Sequence, residues 1–236
     1  DMLEHFSRHK VYSGETSQGK RGMKWKVATA VSPMPNIVSY SNTAVINCPH
    51  LMELAQQYLP LAADYIGVVP FIANYSAWWS FANPKQPVEA QMWHRDGDDM
   101  KFCKLFVYLT DVNGYCGPHT MLEGTHDIEY LKKVDLRTPK YFQWMFRTLR
   151  KDPEMLSTVF HDARERTMTG AAGTVFMEDT SAMHRGVVPM HENRLVAQIL
   201  YTPSPSYHEK RGKLRRKAPE ICSQEPYKSA NSMFIS

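Results

Sequence analysis

The stretch from Arg166 to Pro203, RTMTGAAGTVFMEDTSAMHRGVVPMHENRLVAQILYTP, decides the fold, because short apolar runs alternate there with turn residues. Four runs have the aliphatic, aromatic and β-branched residues that strands prefer. They are RTMTG, GTVFMED, AMHRGVVP and RLVAQILYTP. Short strands at near-regular spacing are typical of antiparallel barrels and jelly rolls. The stretch therefore predicts a mainly β protein with a jelly-roll core.

Segments further upstream extend the same pattern. KFCKLFVYLTDV (residues 101–112) predicts a strand, NGYCGP (113–118) carries turn signals, and HTMLEG (119–124) predicts the next strand. Earlier still, VVPFIANYSAWWSF (68–81) predicts a buried strand because it is rich in aromatic and β-branched residues.

A run of 20 residues from Tyr65 to Pro84 holds no charge, which raises the alternative of a membrane span. The run is interrupted by residues that disfavour a spanning helix. They are Gly67, Pro70, Asn74 and Asn83. The buried strand is therefore preferred, and no membrane association is predicted.

Two intervals predict helices that flank the β core. Between Pro49 and Gly67 apolar residues recur at helical spacing, which indicates an amphipathic helix that packs on a sheet and kinks at Pro60. Its apolar positions are Leu51, Leu54, Ala55, Tyr58, Leu59 and Ala62. A polar helical insertion is predicted from Asp127 to Pro153, with one face formed by Tyr141, Phe142, Met145, Phe146 and Leu149. The opening, to about Ser41, predicts loops with one or two strands.

Composition is that of an ordinary globular protein. The chain has 236 residues, of which 43% are hydrophobic and 22% charged, so residues 1–236 are predicted to form a single domain. The four cysteines show no CxxC pair, which argues against a structural zinc site or a disulfide scaffold. No pattern of a secretory signal is visible, and a cytoplasmic location is expected.

The net charge of +4 is concentrated near the C-terminus. Residues 208–217, HEKRGKLRRK, carry six basic residues and one acidic residue, so residues 208–236 are interpreted as a basic C-terminal extension. The remainder of the chain is close to neutral.

The segment QMWHRDGDD (residues 91–99) is a candidate for half of a metal site. His94 and Asp96 lie two positions apart, so both side chains point the same way on an extended strand and could bind one ion. Taken alone, the triplet is better explained by a solvated turn rich in Asp and Gly.

Two later residues change this balance in favour of a metal site. His184 lies in a short predicted strand, and Arg194 lies on the following strand. Two histidines and one carboxylate form the facial set that suits non-haem Fe(II) and leave three positions open. An arginine offers a planar, bidentate partner for a carboxylate. The combination predicts an iron centre that uses 2-oxoglutarate as co-substrate.

Two segments carry a resemblance to a known family. The runs AQMWHRDGDDMKFCKLFVYLTDVNGYCGPHTMLEGTH and GTVFMEDTSAMHRGVVPMHENRL resemble the phytanoyl-CoA dioxygenase family of Fe(II)/2-oxoglutarate oxygenases, over roughly Ala90 to Tyr201. The resemblance implies a double-stranded β-helix, that is, a cupin-like jelly roll. It also implies hydroxylation of a small molecule with O2, with release of succinate and CO2.

The resemblance also implies roles for particular residues. His94, Asp96 and His184 would be the catalytic iron ligands, and Arg194 would hold 2-oxoglutarate. Further cofactor contacts would come from the strand after the first ligands, at Phe106, Lys104 and Tyr108. Because Asp96 stands where halide-transferring relatives have a small residue, hydroxylation is favoured over halogenation.

Other polar and aromatic residues are predicted to have structural roles. His119, His126 and His191 are expected to be solvent-facing or hydrogen-bonded, since none has a carboxylate two positions away on a strand. Asp98 and Asp99 are expected to continue a solvated turn. Three tryptophans are predicted to lie in the core or the pocket wall, namely Trp78, Trp79 and Trp93.

Two alternative functions remain open at this stage. The fold could act as a non-catalytic binding or regulatory module. The segment KRGKLRRK could bind nucleic acid by neutralising phosphates, or it could help to hold an anionic small-molecule substrate such as a CoA thioester. Substrate choice is expected to depend on loops and on the helical insertion, and the sequence pattern favours no particular oligomeric state.

Overall fold

A computed structural model describes residues 1–13, 23–24, 36–82, 86–134, 140–141, 144–145 and 149–204. The predicted basic C-terminal extension, and Phe142 and Phe146 of the helical insertion, lie outside these residues.

The described residues form ten strands and six α-helices, with a short 3-10 turn at Glu89–Gln91. In chain order the strands are β1 (Lys10–Ser13), β2 (Met23–Lys24), β3 (Ile37–Tyr40), β4 (Phe71–Ser80), β5 (Cys103–Tyr108), β6 (His119–Leu122), β7 (Glu165–Met168), β8 (Val175–Glu178), β9 (His184–Gly186) and β10 (Arg194–Thr202). The helices are α1 (Met2–Ser7), α2 (Asn42–Ile46), α3 (Pro49–Gln57), α4 (Leu59–Ile66), α5 (Ile128–Leu131) and α6 (Pro153–Val159). Each strand predicted by the sequence is confirmed.

The strands form two antiparallel sheets. The larger has the order β2-β1-β3-β4-β10-β5-β8 and the smaller has the order β7-β6-β9. From β5 onward the chain passes repeatedly between them, because β6, β7 and β9 belong to the smaller sheet while β8 and β10 return to the larger one. This alternation between two layers is the jelly-roll arrangement that the spacing of short strands predicts.

The main core lies between the larger sheet and the N-terminal helices. The side chains of Phe6, Leu51, Trp79 and Ile199 are completely buried there. The indole of Trp79 also donates a hydrogen bond to the hydroxyl of Tyr40 at 3.0 Å. The helices therefore cover one face of the larger sheet and leave its other face to the cavity described below.

The opening of the chain differs from its prediction of loops with one or two strands. A capped helix, α1, and three short strands, β1 to β3, form there. The carboxylate of Asp1 accepts a hydrogen bond from the backbone of Glu4 at 2.7 Å, and Phe6 and Val11 are fully buried. Burial of these two apolar side chains stabilises elements that local pattern alone does not reveal.

The helix predicted between Pro49 and Gly67 forms as two helices, α3 and α4, that meet at Tyr58. Pro60 has no N–H to donate to the carbonyl of Gln56 and its ring would clash with that carbonyl in a continuous helix. The predicted kink is therefore a complete break. Gly67 ends α4 with a φ of 88°, a left-handed conformation that glycine adopts without strain.

The helical insertion buries residues in a second cluster with α6. Met145 is buried and Tyr141 packs against the same cluster, as predicted, but Leu149 is 71% exposed. The ammonium group of Lys151 donates to the carbonyls of Trp144 and Met145, at 2.7 and 2.9 Å. In a continued helix the Met145 carbonyl would accept the N–H of Leu149. Leu149 itself lies in a bend rather than a helix, and the prediction that it joins the apolar face is wrong.

Most of the uncharged run from Tyr65 to Pro84 forms the end of α4 and strand β4. Within the described ranges no helix is both long enough and apolar enough to cross a membrane.

Two leucines in the paired helices give a matched test of the core. Leu51 of α3 is fully buried, whereas Leu61 of α4 is 51% exposed. We expect Leu51→Ala to lower the free energy of unfolding by about 2–5 kcal/mol, because it leaves a cavity in the core. Leu61→Ala should change it by less than about 0.5 kcal/mol. Urea denaturation of both variants measures this difference, and equal losses would contradict the burial described here.

Candidate metal centre and active-site cavity

Two histidines from distant parts of the chain are joined through their backbones. The N–H of His94 donates to the carbonyl of His184 at 3.0 Å, and the N–H of His184 donates to the carbonyl of His94 at 2.9 Å. This pair of bonds lies outside the regular strand ladders and brings the imidazole centroids to 4.1 Å. The N–H of Asp96 donates to the carbonyl of Thr180 at 2.8 Å, which aligns the third residue on the same side.

Each imidazole is oriented in the same way. Nδ1 of His94 lies 2.8 Å from the carbonyl of Met92, and Nδ1 of His184 lies 2.9 Å from the carbonyl of Ala182. A carbonyl only accepts, so Nδ1 carries the proton in both rings and Nε2 presents a lone pair. A metal-binding histidine is commonly fixed by such a hydrogen bond from its other ring nitrogen.

The carboxylate of Asp96 faces both free nitrogens. Oδ1 lies 3.8 Å from Nε2 of His94, and Oδ2 lies 3.5 Å from Nε2 of His184. One ligand atom from each of the three residues falls within 4.8 Å of the others, and no other such group occurs in the described part of the chain. Two neutral imidazoles and one carboxylate match the donor set of non-haem Fe(II). The residues present therefore fit the ion that the sequence predicts.

The electrostatics keep these three groups in the forms that bind a cation. Burial, followed by the neighbouring His184, lowers the pKa of His94 to about 3, and burial also lowers the pKa of His184. Burial alone would raise the pKa of Asp96, but Lys104 and the two histidines hold it below its ordinary value. Neutral imidazoles and an ionised carboxylate are what metal coordination requires.

Lys104 is the cation next to this carboxylate. Its ammonium lies 2.6 Å from Oδ2 of Asp96 and 2.8 Å from Oδ2 of Asp98. Burial opposes its charge, but the two carboxylates raise its pKa. The side chain of Asp98 is only 20% exposed, so the expectation that it continues a solvated turn is wrong. A buried ammonium requires the second carboxylate as a partner, which explains the position of Asp98.

Arg194 begins β10 directly opposite Ser80 of β4 and is 3% exposed. Its guanidinium donates to the carbonyl of Gly117 and, at 3.2 Å, to the hydroxyl of Ser80, while Nε has no hydrogen-bond partner in the described structure. A Cβ on Gly186 would lie only 2.8 Å from Nη2, so glycine at this position leaves room for the guanidinium. The orientation of Arg194 is thus fixed before any ligand binds.

One cavity of about 340 Å³ brings these groups together. All seven side chains that the sequence analysis assigns to the site line it, namely His94, Asp96, Lys104, Phe106, Tyr108, His184 and Arg194. Its volume falls in the range of about 300–1,000 Å³ typical of small-molecule sites.

Phe106 and Tyr108 lie on β5 at the floor of this cavity. The ring of Phe106 lies 4.8 Å from that of His119 and stacks on Phe176 at 5.1 Å. The hydroxyl of Tyr108 donates to the carbonyl of Met168 at 2.9 Å and accepts the N–H of His119 at 3.0 Å. These contacts join the two sheets, and a role of either residue in holding the co-substrate stays a prediction.

Gln91 is a cavity residue that the sequence analysis does not identify. It is 2% exposed, and its Oε1 accepts hydrogen bonds from Nδ2 of Asn36 at 3.1 Å and from the N–H of Val88 at 3.2 Å. Both partners are donors, so the amide orientation is fixed and Nε2 remains buried without a partner in the described structure. A buried, unpaired donor on a cavity wall suits an oxygen of a ligand.

Glu178 and His119 form a second pair that the sequence does not reveal. Oε2 of Glu178 lies 2.5 Å from Nε2 of His119, whose ring stacks on His184 at 5.4 Å. His119 is therefore buried against a carboxylate rather than facing solvent. The two residues are far apart in the sequence and belong to different sheets, so no local spacing signals the contact.

The predictions for the tryptophans and for His191 are confirmed in the structure, whereas His126 is partly buried and its Nδ1 lacks a hydrogen-bond partner in the described structure. Trp79 and Trp93 are buried in the two clusters and Trp78 lines the cavity. His191 is exposed and stacks on Tyr115, with ring centroids 4.8 Å apart. Neither His191 nor His126 belongs to the group of possible metal ligands.

The lowered pKa of His94 predicts a pH dependence for the metal-free protein. An unfolded histidine has a pKa near 6.5, so below that pH the unfolded state binds the proton more readily than the folded state. Stability should therefore fall as the pH drops, and His94 should contribute a loss of about 2 kcal/mol between pH 7 and pH 5. Urea denaturation at several pH values measures the slope. The slope should be smaller for His94→Asn and unchanged for His50→Gln, since His50 is exposed; an undiminished slope in His94→Asn would contradict the prediction.

Comparison with known proteins gives a fold but no sequence relative. No protein-family model matches the chain, and no curated protein matches its sequence. Similar solved structures include HygX from Streptomyces hygroscopicus with nickel and 2-oxoglutarate bound, at 14% identity and a TM-score of 0.51, covering 81% of this chain and 79% of HygX. They also include SnoN, a non-heme alpha-ketoglutarate-dependent epimerase from nogalamycin biosynthesis, at 15% identity and a TM-score of 0.50, covering 78% of this chain and 74% of SnoN.

SnoN has also been crystallised with Fe3+, alpha-ketoglutarate and nogalamycin RO, and that structure matches at 16% identity and a TM-score of 0.50, covering 78% of this chain and 73% of SnoN. Likeness at these identities establishes the fold alone. It confirms the predicted class, a mainly β protein with flanking helices and a double-stranded β-helix core.

Proposed function

We propose that this chain is a non-haem Fe(II)- and 2-oxoglutarate-dependent dioxygenase that hydroxylates a small molecule. The observation that carries the proposal is the convergence of two neutral imidazoles and one carboxylate in a cavity that also holds a buried guanidinium. The overall reaction would convert 2-oxoglutarate and O2 to succinate and CO2 while the substrate gains a hydroxyl group.

In this proposal His94, Asp96 and His184 hold the iron, which supplies the activation of O2 when bound. Arg194 pairs with the distal carboxylate of 2-oxoglutarate, because its fork is already aligned by Gly117 and Ser80. The unpaired amide of Gln91 offers a donor to another oxygen of the co-substrate.

Lys104 acts through Asp96 rather than on the reacting groups. Its ammonium holds the carboxylate ionised and fixes Oδ2 by a hydrogen bond of 2.6 Å. Trp78, Phe106 and Val196 supply an apolar part of the cavity wall beside these electrostatic contacts. Within the chain, the residues thus bind and orient, whereas the oxidising power comes from the metal.

Two lines of support come from other proteins. HygX was crystallised with nickel and 2-oxoglutarate, and SnoN is a non-heme alpha-ketoglutarate-dependent epimerase, so the fold accommodates this co-substrate in those proteins. The resemblance between Ala90 and Tyr201 supports a finer assignment to the phytanoyl-CoA dioxygenase family.

The free, buried Cys48, Cys103 and Cys116 agree with the cytoplasmic location that we propose.

The proposal is tested by measuring succinate. Purified protein with Fe(II), ascorbate and 2-oxoglutarate should release succinate slowly even without substrate, and removal of iron with a chelator should stop the release. Failure to bind both iron and 2-oxoglutarate would refute the proposal. Binding of both without succinate release, over a broad substrate panel, would instead favour the non-catalytic module.

A further inference from the structure

The wall of the cavity carries more positive than negative charge. Four cationic side chains line it, Arg95, Lys104, Arg150 and Arg194, but only two carboxylates, Glu89 and Asp96. Lys104 is already paired with Asp96 and Asp98. Arg194 is assigned above to the co-substrate. Within the described residues, the charges of Arg95 and Arg150 are therefore left for another ligand.

Arg95 lies between two of the proposed iron ligands and is partly buried. Its Nη1 is shielded from solvent and has no hydrogen-bond partner in the described part of the chain. The carboxylate that acts on it electrostatically, Asp179, accepts hydrogen bonds from Tyr65 at 2.5 Å and from Ser181 at 2.6 Å instead. A shielded cation without a bonded partner is unfavourable, and an oxyanion in the cavity would relieve this.

Arg150 reaches the cavity from the helical insertion, next to Leu149. Its charge acts on the imidazole of His94, so it lies on the same side of the cavity as the iron ligands. Like Arg95, it makes no ion pair or side-chain hydrogen bond with a described residue. Among the described residues, the insertion thus contributes a cation to the site without supplying its counter-ion.

The position of Arg150 is fixed by the next residue. The N–H of Lys151 donates to the carbonyl of Trp93 at 2.7 Å, and its ammonium holds the carbonyls of Trp144 and Met145. Lys151 is 2% exposed. These hydrogen bonds hold this end of the insertion next to Trp93, the neighbour of His94, so Arg150 is held at the cavity.

We infer that Arg95 and Arg150 form an oxyanion-binding wall, and that the substrate is a small molecule with a carboxylate or phosphate group. The inference rests on the proposed function in treating the cavity as a substrate site. Trp78 and Val196 line the same cavity and supply an apolar surface for the rest of the molecule. This assigns the recognition of an anion to the wall of the cavity, which Arg95 and Arg150 line within the described residues.

The inference is tested by titrating three probes of similar size, namely benzoate, phenyl phosphate and benzyl alcohol. The protein is loaded with Ni(II) and saturating 2-oxoglutarate, so that Arg194 is occupied, and binding is measured by calorimetry. We expect at least one anion to bind more tightly than the alcohol. Arg150→Gln and Arg95→Gln should each weaken that anion about tenfold or more, as expected for a lost hydrogen bond to a charged group.

Arg164→Gln is the matched control, because Arg164 is exposed and outside the cavity, and it should leave all three affinities unchanged. Which anion binds more tightly distinguishes a carboxylate from a phosphate. Circular dichroism checks that each variant is folded, and Arg150→Lys, which keeps the charge but loses the planar fork, should bind with intermediate affinity.

Three outcomes would overturn the inference: no detectable binding of either anion, equal binding of the alcohol, or unchanged anion affinity in either glutamine variant. Loading with Ni(II) and 2-oxoglutarate is measured first, so its failure counts against the proposed function. If loading fails, the probes are titrated into the metal-free protein instead. Weaker anion binding in Arg95→Gln and Arg150→Gln still decides whether the wall binds anions.

Discussion

Replacing His184 with alanine is expected to abolish iron binding and, with it, the release of succinate from 2-oxoglutarate. The alanine keeps the backbone hydrogen bonds to His94, so the fold should survive while one of three ligands is lost. Loss of an outer-shell partner costs about 10- to 100-fold in metal affinity or activity, and loss of a ligand should exceed this. Iron content after gel filtration and the rate of succinate release measure the effect.

His191→Ala provides the control for this substitution. His191 is the same residue type, lies seven positions further on, and is exposed beside Tyr115. Its replacement should change neither iron content nor succinate release. Stoichiometric iron in His184→Ala would show that the ion is held elsewhere and would remove the basis of the proposed function.

Arg194→Gln should raise the KM for 2-oxoglutarate by more than about a hundredfold while iron binding is retained. Truncation of one partner of a buried ion pair removes about 3–5 kcal/mol, which corresponds to at least that factor in affinity. The variant also loses the contact with Gly117, so thermal unfolding must be measured beside the kinetics.

Measuring the KM for 2-oxoglutarate and the thermal stability separately distinguishes a binding role of Arg194 from a structural one. Arg194→Lys keeps the charge without the fork and should recover part of the affinity for 2-oxoglutarate. Arg164→Gln should behave like the unchanged protein. If Arg194→Gln lowered stability but left the KM for 2-oxoglutarate unaltered, the arginine would be a structural residue only.

The fold could be predicted from the sequence because it depends on local signals. Strands β4 to β10 follow from runs of apolar and β-branched residues between turns, and the break at Tyr58 follows from the missing N–H of Pro60. The opening was harder to predict, since α1 and β1 are stabilised by burying Phe6 and Val11 in a core formed by distant segments.

Part of the candidate site could be predicted from the sequence as well. His94 and Asp96 share a face of an extended segment, and this spacing is visible in the sequence. Their approach to His184, however, depends on backbone hydrogen bonds between segments that are far apart in the sequence. The donor set of two histidines and a carboxylate, followed by an arginine, suggested the connection, and the resemblance to a known family agrees with it.

Charge pairing was the part that the sequence could not reveal. Asp98 looks like a solvated turn residue until the buried ammonium of Lys104 is placed 2.8 Å from it. Likewise, Glu178 ends a strand with nothing nearby in sequence to mark its contact with His119. Such pairs depend on which strands become neighbours, and their partners are unrelated in sequence spacing.

The mutual backbone bonds between His94 and His184 bear on the order in which the protein matures. Those bonds need neither imidazole nor ion, so we expect the chain to complete its tertiary structure first and to take up the proposed iron afterwards. A chelator should then strip the ion reversibly, leaving a folded apoprotein ready for reloading, unlike zinc fingers, which unfold without their metal.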